Sequence, residues 1–186
     1  MSDDFEAALA GERDRAEVEA LLLEWTRHYL GAPDPARARD AADRLLASSG
    51  GMHVMLGRRD GRCVAFAAFA IHHPARSPGG DLHLKHLFVM PQGRGAGTGT
   101  MLLRAVAGHA VALGCGRVEW TAGVANERAL ALYDRLGVPR AELIVQYRLG
   151  DGDLAAFAAA GEEGDATGNH TRNDARGAQC PTSSAT

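Results

Sequence analysis

The stretch from Leu84 to Ala110 limits what this chain can fold into more than any other part of it. An apolar run with Leu84, Leu87, Phe88 and Val89 reads as a strand, and Pro91 stops it. Gly93, Gly95, Gly97 and Gly99 then alternate through a turn, after which Met101, Leu102, Val106 and Ala110 recur at helical spacing. A strand that passes through a glycine-rich turn into a helix points backbone N–H groups and the positive helix end at one spot. Such a spot suits a phosphate group.

Two phosphate motifs fail on spacing. The dinucleotide pattern G-x-G-x-x-G needs glycine at Thr98, Thr100 or Leu102, so no register fits. The Walker pattern needs Gly-Lys-Ser/Thr, and the one lysine, Lys85, precedes the turn. Glu119 falls roughly where a Rossmann ribose-binding acid would, about twenty residues on, but the failed glycine register removes that reading.

Arg94-Gly95-Ala96-Gly97-Thr98-Gly99 does match the Q/R-x-x-G-x-G/A signature of the Gcn5-related N-acetyltransferases, the GNAT superfamily. Leu87-Phe88-Val89 before it and Met101-Leu102-Leu103 after it resemble that family's strand-turn-helix. A second stretch, Asn126 to Gly137, resembles its N-x-x-A-x-x-x-Y-x-x-x-G motif. The resemblance spans roughly residues 5–150. It implies an α/β GNAT acyl-CoA N-acyltransferase fold, with a mixed, mostly antiparallel central sheet, splayed fourth and fifth strands, and flanking helices. Arg117-Val118-Glu119-Trp120-Thr121 and Gln146-Tyr147-Arg148-Leu149 look closest to the diamine (spermidine/spermine-like) branch.

Taken in order, Phe5–Leu9 fits a short strand or a helix equally. Asp14 and Glu17 resemble a capping box ahead of a helix through Val18, Leu21, Leu22, Trp25 and Tyr29 that Gly31 ends. Asp34-Pro35 opens a second helix through Ala38, Ala42, Leu45 and Leu46. Asp60-Gly61 joins strands His53–Arg59 and Arg62–Ile71 as a hairpin. After a Pro- and Gly-rich loop comes the strand Leu82–Val89, and the glycine turn leads into a helix over Thr98–Ala112. Arg117–Thr121 reads as a strand, Asn126 as the cap of a helix to Leu136, Glu142–Leu149 as a final strand, and Leu154–Phe157 as a helical turn. The stretch from Gly137 to Glu142 leaves little room for a separate sixth strand of the family layout. The acetyltransferase domain is therefore expected over residues 1–157. Residues 158–186 form a polar tail; from Gly161 on it has no large apolar residue, so it cannot offset its ordering entropy.

Composition narrows the partners. A formal charge of −3 and a pI near 6.2 leave no basic footprint for nucleic acid or an anionic membrane. Cys63, Cys115 and Cys180 have no metal spacing, and no apolar run is long enough to span a bilayer, which points to a cytoplasmic protein with free thiols and no metal.

The resemblance assigns acetyl-CoA as co-substrate. Its diphosphate takes N–H groups from Arg94, Gly95, Ala96, Gly97, Thr98 and Gly99, and its pantetheine arm takes backbone groups of Leu87, Phe88 and Val89. Asn126 would contact the pantetheine, cap its helix, or do both. Tyr133, two turns further on, would protonate the leaving thiolate, although a core aromatic is the plain alternative. An amine of pKa near 10.4 must lose a proton to react. His83, with an ordinary pKa near 6.5, is the candidate base, and Glu119 on the neighbouring strand is the alternative. Strand alternation expects His83, Lys85 and Leu87 on one face. The diamine branch carries Glu and Asp where this chain has Lys85 and His86, and a lysine there repels a cationic substrate. The expected activity is direct transfer to a primary amine of a small molecule or peptide in a ternary complex, with a homodimer left open. A non-catalytic acyl-CoA-binding sensor is the alternative.

Overall fold

The structure, a computed structural model, describes residues 4–47, 50–141 and 144–159. It divides into two units, Met1–Val138 and Pro139–Thr186. The first unit holds β1 (Phe5–Leu9), α1 (Arg15–Leu30), α2 (Pro35–Leu46), β2 (Met52–Arg59), β3 (Arg62–His72), β4 (Asp81–Val89), α3 (Thr98–Ala112), β5 (Val118–Glu119) and α4 (Glu127–Arg135).

The strands form one sheet in the order β1-β2-β3-β4-β5. The first three pairings are antiparallel and β4–β5 is parallel. Phe5–Leu9 is thus a strand: it pairs with β2 from Phe5–Arg59 to Leu9–Met55. The β2–β3 hairpin turns on Asp60 and Gly61, both with positive φ (49° and 73°), the conformation a two-residue type I′ turn demands.

Two cores lie on the two faces of the sheet. On one, Val18, Leu21 and Leu22 of α1 and Ala38 and Ala42 of α2 pack against Leu56, Phe66 and Phe88. On the other, Leu102, Leu103, Val106 and Ala110 of α3 pack against Phe69, Leu82 and Leu84, with Tyr133 and Leu136 joining the edge of that cluster. The helices carry their expected stops: Gly31 ends α1 at φ 80°, and the Asp34 carboxylate accepts the Arg37 N–H at the start of α2. Asp14 does not cap α1 as its spacing suggests. Its carboxylate instead takes the Gly11 N–H (2.9 Å) and the Arg58 guanidinium (2.8 Å), which Glu17 also pairs. A charge-assisted bond to a half-buried arginine outweighs a cap bond.

The register of β3 against β4 decides the rest. Ala68 faces His86 while Phe69 faces Leu84, so Lys85 is an extra residue, a β-bulge. Ahead of it, Leu82 and Leu84 pack on the α3 side; beyond it, Leu87 and Val89 do so, while Phe88 faces α1 and α2. The expected shared face of His83, Lys85 and Leu87 is therefore broken. Leu87 lies on the opposite side, because a bulge resets the alternation of every later residue.

In the second unit, α5 (Asp151–Ala159) is longer than the single turn expected at Leu154–Phe157. The expected strand Glu142–Leu149 is not formed over its described part: residues 144–150 carry no strand, and Ile144, Val145 and Tyr147 are 70%, 72% and 90% exposed. Alternating apolar residues become a strand only when an edge pairs with them, and that stretch has no ladder. Glu142 and Leu143, and the expected tail from residue 160 onward, lie outside the described residues.

Candidate active site

The turn expected to hold a phosphate is built as its glycines require. Gly95 and Gly97 have φ of 91° and 76°, which a side chain disfavours. Gly97 is the N-cap of α3, no side chain caps that helix, and its first backbone bond runs from Met101 N–H to Gly97 O. The amides from Gly95 to Thr100 thus point outward with no acceptor among the described residues. Gly99 is different. A Cβ there would sit at ordinary contact, 3.7 Å from Leu132 and Val89, so the chain itself demands no glycine. A ligand pressing on that backbone would. The Thr98 hydroxyl, buried, donates to Gly93 O (2.7 Å), and Arg94 Nε turns back to Val89 O (2.9 Å), which closes the turn rather than reaching outward.

The strand leading into the turn has an open edge. β5 pairs with β4 only at Leu82 and His83, so the outer edge of Leu84–Val89 meets no described strand. That slot adjoins Leu87, Phe88 and Val89 and runs toward the outward amides. Tyr133 packs at the edge of the α3-side core, half-buried, with its ring 5.1 Å from Trp120, the residue after β5. Burial pushes its phenol pKa up, and Tyr29 adds to the shift. Asn126 Oδ1 accepts the Ala129 N–H at 3.2 Å, which makes it the N-cap of α4.

The two expected bases are brought together at the end of the β4–β5 pairing, where His83 and Glu119 are register partners. Neither stands alone. His83 stacks on His72 with ring centroids 5.4 Å apart, and Arg117 holds both Glu119 (3.2 Å) and Asp81 (2.9 Å). A third candidate, His86, sits just past the bulge on the α1–α2 side and meets Trp25 edge-on at 5.3 Å. Burial first, then the neighbouring Lys85 charge, holds its pKa below the ordinary 6.5, so it is neutral at pH 7.

A model of the acetyltransferase (GNAT) family matches residues 18–138, most of the chain and both motifs. This chain belongs to the GNAT acetyltransferase family. It is an acyl-CoA-dependent N-acetyltransferase. The GNAT chain is similar to an IAA acetyltransferase of Azospirillum brasilense, 29% identical over 129 residues, 69% of this chain and 82% of that protein. It is 33% identical over 128 residues to an L-ornithine N5-acetyltransferase of Arabidopsis thaliana, covering 69% of this chain but only 49% of that protein. An integron cassette protein from the mobile metagenome of V. cholerae superposes with a TM-score of 0.73 at 25% identity, over 83% of this chain and 97% of that one. Among the described residues no group of histidines, cysteines and acids could hold a metal, and no helix is long and apolar enough to cross a membrane.

Reading the GNAT motifs alone passes over two residues. His86 carries no motif of its own; the one signal is a polar pair, Lys85-His86, inside an apolar strand. Arg59, at the end of β2, donates to Ala96 O (2.8 Å) and Thr98 Oγ1 (3.3 Å) and so pins the glycine turn from another strand. A hydrogen bond from a charged group contributes about 1.5–3 kcal/mol where it is well shielded, and this one is partly exposed. Arg59→Ala is therefore expected to weaken CoA binding about tenfold, or about 1.4 kcal/mol. Calorimetric titration with CoA measures this, and kcat at saturating acetyl-CoA stays within about threefold because the arginine touches the turn and not the reacting atoms.

Proposed function

We propose that this chain moves an acetyl group from acetyl-CoA directly to the amine of a small molecule, with both bound at once. The observation that carries the reading is the run of amides from Gly95 to Thr100 that no acceptor among the described residues takes, at the end of a strand, β4, whose outer edge is open. Acetyl-CoA would supply an activated acyl carbon and a thiolate able to leave. Its diphosphate fits the Gly95–Gly99 amides, where the helix end adds about 0.3–2 kcal/mol of favourable charge, and where Gly99 leaves room for close approach.

The remaining roles fall to named side chains. Backbone groups of Leu87, Phe88 and Val89 lie along the slot that suits the pantetheine amides, and a backbone N–H there can meet negative charge on the thioester oxygen. Asn126 fixes the start of α4 and so the position of Tyr133 two turns later. As the C–N bond forms and the C–S bond breaks, the Tyr133 hydroxyl gives its proton to sulfur and regains one from the newly acylated nitrogen. His86 Nδ1 or Nε2 accepts the proton that the ammonium group must lose; His83 with Glu119 is the second candidate, one strand pairing further from the open slot. The Arabidopsis relative acetylates the side-chain nitrogen of L-ornithine, which supports a small-molecule amine as acceptor.

The test is thiol release from acetyl-CoA with a panel of amino acids, arylalkylamines, polyamines and aminoglycosides. At least one amine is expected to raise release well above background hydrolysis. Tight CoA binding with no amine-dependent release across the panel would overturn direct transfer.

A further inference from the structure

We propose that the acceptor is a carboxylate-bearing amine of about amino-acid size, a zwitterion with an apolar body, seated in the cavity between α1, α2 and the sheet. This deepens the transferase reading above and rests on it. The cavity measures about 260 Å³, just below the ~300–1,000 Å³ of sites for drug-sized ligands, which suits a body of about amino-acid size. Its walls are mostly apolar, with Trp25 and Phe66 among them.

The charge around it is one-sided. Arg37, Arg44 and Lys85 line the cavity and no carboxylate does. Arg37 leans on Asp34 (3.7 Å) and Arg44 on Asp40 (3.0 Å), each through Nε and each to an acid outside the lining. No carboxylate of the described residues pairs with Lys85, so its charge stands uncompensated beside the opening. A polyamine entering here meets Lys85 without an acid in the wall to offset it and two arginines already held by acids, whereas a carboxylate finds a partner in Lys85.

Position favours the same occupant. Lys85 and His86 are consecutive on the bulge of β4, and the open edge of that strand begins beside them. A molecule whose carboxylate rests at Lys85 and the arginines can therefore direct its amine past His86 toward the edge where the thioester would lie. Arg37 and Arg44 have mostly exposed side chains, and Lys85 is exposed, so charge reversal at Lys85 or Arg44 leaves the core untouched.

The deciding experiment is calorimetric titration of the full chain, at saturating CoA, with phenylacetate (a carboxylate without an amine), phenethylamine (an amine without a carboxylate) and spermidine. Phenylacetate is expected to bind at least about tenfold more tightly than either amine. Lys85→Glu is expected to abolish that preference or reverse it, and Arg44→Glu to reduce it. Each variant's melting temperature is read beside its titration to confirm that it folds. Equal or tighter binding of phenethylamine or spermidine, or an unchanged preference in both folded variants, overturns the proposal. CoA donates no acetyl group, so these titrations are independent of turnover. Failure of the transferase reading shows in the thiol-release panel, and failure of the carboxylate-binding pocket shows here.

Discussion

Tyr133→Phe is expected to lower kcat by about 10²–10³ while CoA affinity stays within about twofold. The argument begins with what the ring does in the fold. Its faces pack at the edge of the α3-side core and against Trp120, and a phenylalanine keeps those contacts. What is lost is one hydroxyl, the group proposed to serve the leaving sulfur. With reference pKa values of about 10 for tyrosine and about 8.5 for a thiol, transfer from phenol to thiolate is uphill by about 2 kcal/mol, and burial of Tyr133 increases that cost. The same burial keeps the phenol protonated through neutral pH, so the proton is in place when the sulfur needs it. In the wild type kcat should also fall on the alkaline side, once pH passes the ordinary tyrosine value of 10 toward the raised one. Single-turnover thiol release separates this from product dissociation. A kcat reduced less than about fivefold would return Tyr133 to the role of a packing residue.

Which of these features could be read in the sequence follows from how local each one is. The Asp60-Gly61 turn needs two residues with positive φ, and those two residue types tolerate it, so the hairpin is visible in a dipeptide. The helix Thr98–Ala112 is bounded by a glycine cap and a glycine stop and falls where its apolar spacing puts it. The bulge at Lys85 has no such local mark. It is a mismatch of one residue between β3 and β4, created by Phe69 meeting Leu84 and Ala68 meeting His86, and neither strand carries it alone. His86 was hidden for that reason: simple alternation gives it no defined place in a site. The contacts of Asp14 and Arg59 are hidden similarly, since their partners lie 44 and 37 residues away in sequence. Residues 144–149 show the converse error. Their alternation is a strand pattern, but no ladder forms over the described residues 144–149.

His86→Ala is expected to lower kcat/KM by about 10²–10³ at pH 7, against less than about fivefold for His83→Ala. The two histidines lie on the same strand with Leu84 and the bulged Lys85 between them, and their surroundings differ. His83 is stacked on His72 where β4 is still paired to β5, whereas His86 lies past the bulge, beside the unpaired edge, in the wall of the cavity. An ammonium with pKa near 10.4 has to hand its proton to a neutral acceptor close to where the thioester is held. His86 offers a neutral imidazole at pH 7, because burial and the Lys85 charge both disfavour its cationic form. The sign of the pH dependence follows. With the folded pKa below 6.5, the acid limb of kcat/KM begins below that value, and it should vanish in His86→Ala. Lys85→Gln removes one of the two causes and should move the limb upward, toward 6.5. Folding is linked in the same direction: the unfolded histidine binds its proton first as pH falls, so the wild type loses stability from about 6.5 downward. His86→Ala should lose less over that interval, and His109, whose pKa burial also lowers, accounts for part of what remains. Added imidazole restoring part of the His86→Ala rate would mark lost proton transfer rather than lost packing. Equal losses in the two alanine variants, with an acid limb that survives in His86→Ala, would move the base to His83.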